Sequence, residues 1–296
     1  AELHVTGEAT YAWPMYDPSK TGHMKETDPF WYAKFQYTGP ARRNGEALLI
    51  WDSANPLKQG RRGWQYLPGQ RRVRLSPDVA YDTPNATTAG ANTYDDSVVF
   101  NGAMDRFDFK LVGKKEMYVP YGNYKLTYWT KPSDVTMAGH LNPDAVRWEL
   151  HRVWVVEATL KPGKRHIYSK RVFYIDEDTW SVLYEDAYDT RKQLWRIGVH
   201  PLMMFYDVKI PYYRANIWHD LNNGAYLISL LTNEISEPWT FGQKAKWSDF
   251  QPDEPRLVRN AEERVQDEPV HPAEDRGRRA NGEPNGQGGG NRDVRG

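Results

Sequence analysis

The residues best suited to bind a metal or move a proton are eight histidines, at positions 4, 23, 140, 151, 166, 200, 219 and 271. None falls at HxH or HExxH spacing, the patterns that place two imidazoles on one strand or helix face. The nearest pair is His151 with His166, and both read as polar edge residues, so no metal is expected. Carboxylates cluster as Asp95-Asp96 and Asp176-Glu177-Asp178, where turns and caps favour acids. Cysteine is absent, which excludes disulfides, thiolate metal sites and a Cys nucleophile. There is no GxSxG elbow for a serine nucleophile. The one Gly-rich run, GQGGG, lies near the C-terminus without a following helix, so it is no phosphate loop. No cofactor is expected and nothing compels an enzyme.

A different chemistry is written in RGWQYLPGQRRVRLSP, residues 62–77. Trp64 and Tyr66 share one strand face, Pro68-Gly69 turns the chain, and Val73 and Leu75 share a face with Arg71. Gln70, Arg72 and Arg74 point the other way. Such a hairpin suits stacking and phosphate contacts in a nucleic-acid groove, the wall of an apolar cavity, or plain structure with its arginines paired to the acids of 78–96. Lys+Arg and Asp+Glu balance at 39 each, without the basic excess of a nucleic-acid binder. No nucleic-acid partner is expected.

Elements must position these residues, and nearly all of them read as strands up to about residue 250. Strand-like runs include 2–13, 31–38, 45–52, 62–68, 70–76, 152–160, 170–176, 180–189, 192–200, 212–221 and 225–231. Short connectors such as Lys161-Pro162-Gly163-Lys164 and Asn222-Asn223-Gly224 force antiparallel neighbours. Two places break the pattern. Asn142, Pro143 and Asp144 are N-cap, first-position and first-turn signals for a short helix over 143–150. Residues 77–113 form a long irregular connection with an apolar set, of the kind that often serves as a lid. No run approaches the roughly 18 apolar residues of a membrane helix. Residues 251–296 lack aromatics and Lys and are expected to be a disordered tail. The chain opens AELHVTGEA without an initiator Met, and is expected to be a fragment lacking part of its N-terminal region.

The succession GEALLIWDS, RRGWQYLPGQRRVRLSP, VAYDTP, YDDSVVFNGAMDRFDFKLVGKKEMYVPY and GHLNPDAVRWELHRVWVVEATL onward resembles a proteobacterial family of unknown function, described as outer-membrane lipoprotein-sorting protein homologues. The resemblance covers about residues 40–250. More distantly, the WxYLPxxRRVR core is similar to lipid and lipoprotein carriers of the LolA/LolB fold. The resemblance implies a mainly β, curved antiparallel half-barrel with short helices plugging its concave side, one domain over 1–250. It also implies a periplasmic location, no catalytic residues, and genomic company of outer-membrane proteins and resistance-nodulation-division transporters.

The expected function is therefore a non-enzymatic periplasmic carrier for a lipid, a lipoprotein acyl chain or another hydrophobic compound. An accessory subunit of an envelope transporter is the alternative, and an enzyme on a hydrophobic substrate comes third. The residues expected to line the ligand cavity are Leu49, Trp51, Trp64, Tyr66, Val73, Leu75, Met104, Phe107, Val146 and Leu150. Arg71, Arg72 and Arg74 are expected to face the lid acids, an anionic headgroup or a partner.

Overall fold

The computed structural model describes residues 3–17, 22–213, 215–233, 235, 239–243 and 246–252. The expected tail beyond 252 lies outside the described residues. The first sheet is a five-stranded antiparallel meander: β1 (Thr6–Ala12), β2 (Pro29–Gly39), β3 (Ala47–Ser53), β4 (Arg62–Leu67) and β5 (Arg72–Leu75). The rest of the chain forms β6 (Phe107–Pro120), β7 (Thr136–Met137), β8 (His140–Leu141), β9 (Trp148–Leu160), β10 (Lys170–Asp176), β11 (Val182–Tyr188), β12 (Leu194–Val199), β13 (Leu202–Phe205), β14 (Ile210–Tyr213), β15 (Asn216–Asp220) and β16 (Tyr226–Ser229). Seven of these make a second antiparallel sheet in the order β16-β15-β12-β11-β10-β9-β6, while β7–β8 and β13–β14 are separate hairpins. The protein is mainly β, and its antiparallel sheets are not closed into a barrel.

Local chemistry explains the hairpins. Asp176 closes the β10–β11 turn by accepting hydrogen bonds from the Thr179 N–H at 2.9 Å and its hydroxyl at 2.7 Å. Asp189 accepts from the N–H groups of Arg191 and Gln193, both at 2.9 Å, between β11 and β12. Asp220 accepts from the Asn222 N–H at 3.0 Å, and Gly224 takes φ 71° to return the chain into β16. Each aspartate supplies the side-chain acceptor that a tight turn otherwise lacks.

Two expectations need correction. The helix over 143–150 is one 3-10 turn, Pro143–Ala145. Asn142 caps it by accepting from the Asp144 N–H at 3.1 Å, but from Trp148 the chain is strand β9. The β-branched and aromatic residues of RVWVV follow directly, and ladder pairing with β6 and β10 prevails over the helix-start signals. The irregular connection is also shorter than 77–113, because Phe107 already opens the 14-residue strand β6. As an edge strand with most side chains in solvent, β6 shows no clean apolar alternation.

Residues 77–106 carry three 3-10 turns, Ala86–Thr88, Tyr94–Asp96 and Met104–Arg106. Asp96, Phe100 and Gly90 meet Arg171, Phe173 and Arg196 of the seven-stranded sheet, while Val79 and Tyr94 pack on the five-stranded one. At Gly198 in β12 a Cβ would sit 2.6 Å from His200 Nε2 and 3.2 Å from Trp218, so only glycine lets those rings pack there.

Candidate ligand cleft

The two faces of the five-stranded sheet differ in what covers them. Register places Leu49 opposite Trp64, Trp64 opposite Leu75 and Tyr66 opposite Val73. Leu49, Trp51, Trp64, Tyr66 and Val73 do come together on one face, with Tyr32 and Ala47. That face is closed rather than open. Phe250 is buried against it, Trp51 Nε1 donates to the Phe250 carbonyl at 2.9 Å, and the Trp51 and Trp247 rings lie 5.1 Å apart.

The other face presents Trp31, Ala33, Leu48 and Ile50. Here β1 adds Tyr11, whose ring stacks on Trp31 at 5.6 Å with planes 8° apart. Trp13 extends the stack, 5.7 Å from Tyr11 and 6.3 Å from Trp31. Opposite this ladder stand Val98, Phe100 and Asn101 of the long loop and Tyr212 and Tyr213 of β14. With Phe30 they line an open cleft of about 260 Å³. Burial pushes the Tyr11 and Tyr213 hydroxyls well above the usual phenol range, so both remain protonated donors. Trp13 and Phe30 are 38% and 39% exposed, which puts large apolar rings at the cleft's edge. Apolar and aromatic side chains make up most of its lining, the composition common to small-molecule pockets.

None of the ten residues expected to line the cavity lines this cleft. Leu75, Met104 and Leu150 are exposed. Phe107 packs with Ala158 and Phe173, and Val146 with Leu126 and Ile217, in separate parts of the core. The cleft residues were within reach of the sequence in part, since Tyr11 and Trp31 fall in runs read as strands. Choosing the open face requires knowing that the Trp247–Phe250 turn seals the other.

The cationic edge stands in solvent. Arg71, at φ 47°, follows the Pro68–Gln70 turn, and Arg72 and Arg74 are exposed with it. Among the described residues, none of the three pairs with an acid of residues 78–96. Asp82 pairs with Arg106 at 3.1 Å. Asp96 pairs with Arg171 at 3.0 Å, and Asp95 lies 2.9 Å from His166 Nε2. The Tyr168 N–H donates to His166 Nδ1 at 3.0 Å, so it is Nε2–H that donates to Asp95. Arg171 is fully buried and also binds Glu185, itself fully buried, through Nε. One guanidinium cannot neutralise three carboxylates in a dry interior. Burial accordingly pushes Glu185 up to about 8 despite Arg171. Burial also raises Asp95, but its His166 hydrogen bond and Arg171 outweigh this and hold it at about 2.

His166 is therefore remote in role from His151, its nearest candidate partner on the sequence. His151 meets Asp176 Oδ1 at 2.9 Å through Nδ1 and Glu149 Oε2 at 3.0 Å through Nε2. Among the described residues, His151, Asp176 and Asp178 are the one group whose donor atoms are close enough to share a cation. Asp176 is already committed to its turn, and Asp178 is exposed.

Comparison with known proteins places the chain. The family model described as "Protein of unknown function (DUF1329)" matches residues 2–256. The chain belongs to the DUF1329 family. An uncharacterised protein of Pseudomonas aeruginosa is 44% identical over 238 residues, covering 80% of this chain and 51% of that protein. The chain thus spans about half the length of that curated relative. Among solved structures, a DUF1329 family protein from Desulfovibrio piger aligns with TM-score 0.46 and 20% identity over 67% of this chain and 68% of that one. A domain from Vibrio parahaemolyticus described as outer membrane lipoprotein-sorting aligns with TM-score 0.45 and 15% identity, covering 71% and 76% of the two chains. A LolA superfamily protein from Nitrosomonas europaea aligns with TM-score 0.40 and 11% identity, covering 76% and 80%. Among the described residues, no helix is long and apolar enough to cross a membrane.

Proposed function

We propose that this DUF1329 protein is a non-enzymatic periplasmic carrier for a hydrophobic compound at the cell envelope. The observation that carries the reading is the aromatic cleft between β1–β2, the long loop and β14. At about 260 Å³ it lies below the range of about 300–1,000 Å³ common for drug-sized ligands. It suits a single acyl chain end or a small ring system better than the several chains of a lipoprotein anchor. Arg71, Arg72 and Arg74, exposed at the far end of the β4–β5 hairpin, are placed to meet an anionic membrane surface or partner. Native mass spectrometry of the purified protein, with lipid extraction, tests the reading. A co-purifying hydrophobic molecule of matching size supports it, and a protein that never retains or takes up one refutes it.

A second reading, an accessory subunit docked on an outer-membrane protein or a resistance-nodulation-division transporter, is favoured by the edge of the larger sheet. On β6, Leu111 and Tyr118 are 60% and 68% exposed, and Leu150, the cross-strand partner of Tyr118, is 57% exposed. An edge strand with uncovered apolar residues is a ready surface for strand addition.

A further inference from the structure

The carrier reading leaves the buried ion cluster beneath the long loop unexplained. Arg171 stands on β10, two ladder pairs from Phe173 and Glu185 and on the same face as Phe173. Its Nη1 has no hydrogen-bond partner, and Asp95 Oδ2 is 3.6 Å from it. Its guanidinium lies 5.0 Å from the centre of the Phe100 ring. Phe100 is itself a wall of the aromatic cleft. A single ring therefore separates an apolar cleft from a fully buried, incompletely satisfied arginine.

The segment that keeps them apart is strained. Val98 and Val99, consecutive β-branched residues, take φ 49° and 73°, a left-handed region that β-branched side chains rarely adopt. The strained pair is tethered on both sides. Asp95 and Asp96 are fixed to His166, Tyr168 and Arg171, and the Asn101 N–H donates to the Asp95 carbonyl at 2.8 Å. Val98 and Asn101 also line the cleft. The loop thus presses two carboxylates onto the arginine at the cost of backbone strain next to the apolar site. A ligand carboxylate arriving at Arg171 would replace a loop carboxylate without changing the charge of the cluster.

We propose that Asp95 and Asp96 occupy the seat of an anionic headgroup, and that the ligand is a single-chain or aromatic carboxylate whose apolar part fills the cleft and whose carboxylate pairs with Arg171. This rests on the carrier reading and names its ligand class.

The test titrates wild type with dansyl-undecanoic acid and with its methyl ester, which share the apolar part and differ in charge. The acid should bind Asp95→Asn about tenfold tighter than the ester, the scale of one charge-assisted hydrogen-bonded pair, and wild type with a smaller preference, since there the incoming carboxylate must displace Asp95. Asp95→Asn, which weakens the internal competitor, should tighten the acid further and leave the ester unchanged. Arg171→Met, checked for folding by thermal melt, should make the two equal. Acid and ester binding alike in wild type and in Asp95→Asn would overturn the proposal while leaving the cleft as the binding site. A preference for the acid that Asp95→Asn leaves unchanged would overturn it too, by placing the cation elsewhere. Binding of neither probe to wild type would remove the carrier reading and this proposal together.

Discussion

The ring of Tyr11 on β1 lies flat on that of Trp31 on β2, centroids 5.6 Å apart. Tyr11 pairs in register with Ala33, so the small Ala33 side chain leaves room for the Tyr11 ring to lean along the sheet toward Trp31. Trp13 continues the same stack. The result is a flat aromatic floor on the sheet face that the Trp247–Phe250 turn does not seal.

Floor residues should separate binding from stability according to their burial. Trp31 is 4% exposed, so Trp31→Ala should lose about 3–5 kcal/mol of stability in urea melts. Trp13 is 38% exposed. Trp13→Ala should lose little stability yet weaken binding of a hydrophobic fluorescent probe several-fold. Equal stability losses for the two would show that Trp13 is packed as core.

The sealed face offers the converse control. Phe250 is 1% exposed and packs at 5.4 Å on Tyr32. Phe250→Ala should cost about 3 kcal/mol and leave probe affinity unchanged, since Phe250 lies across the sheet from the cleft. A change in affinity without a change in the melt would place the ligand on the sealed face instead.

Acidity should act through two buried groups of opposite sign. Burial pushes His200 down from 6.5 to about 3, so the unfolded chain takes up a proton first, and stability falls as pH drops below about 6.5. Burial pushes Glu185 up from 4.5 to about 8, so the folded protein keeps a proton that the unfolded chain releases. Its contribution is full below 4.5 and is lost as pH rises toward 8. Between 4.5 and 6.5 the two oppose, and each is limited to about 1.4 kcal/mol per pH unit. Urea midpoints should therefore decline from pH 6.5 to 8, and Glu185→Gln should flatten that decline. A wild type whose midpoint rises over that interval would contradict the assignment.

The hairpin arginines should matter only to an anionic surface. Arg72→Glu should leave the melt and probe affinity unchanged and reduce binding to anionic vesicles, an effect that fades with salt. Unchanged vesicle binding at low salt would free the hairpin from that role.

Much of the fold was legible because it is local. The β4–β5 hairpin follows from Pro68-Gly69 and from alternation on either side, and Trp64, Tyr66, Val73 and Leu75 share a face as the period of two requires. Turn aspartates such as Asp176 are likewise readable from their neighbours. The cleft was not, because its walls come from β1, β2, the long loop and β14 and meet only in the folded chain. Sequence alternation shows that a face is apolar, but not what covers it. The same limit hid Arg171, which looks on the sequence like an ordinary polar position in β10.

The most direct measurement is titration of wild type and Trp13→Ala with N-phenyl-1-naphthylamine, followed by its fluorescence and by tryptophan quenching. Saturable binding of one probe per chain, with tryptophan emission quenched and affinity several-fold weaker in Trp13→Ala, is the predicted result. Probe fluorescence that never saturates, or that is the same in both proteins, would contradict the cleft as the ligand site.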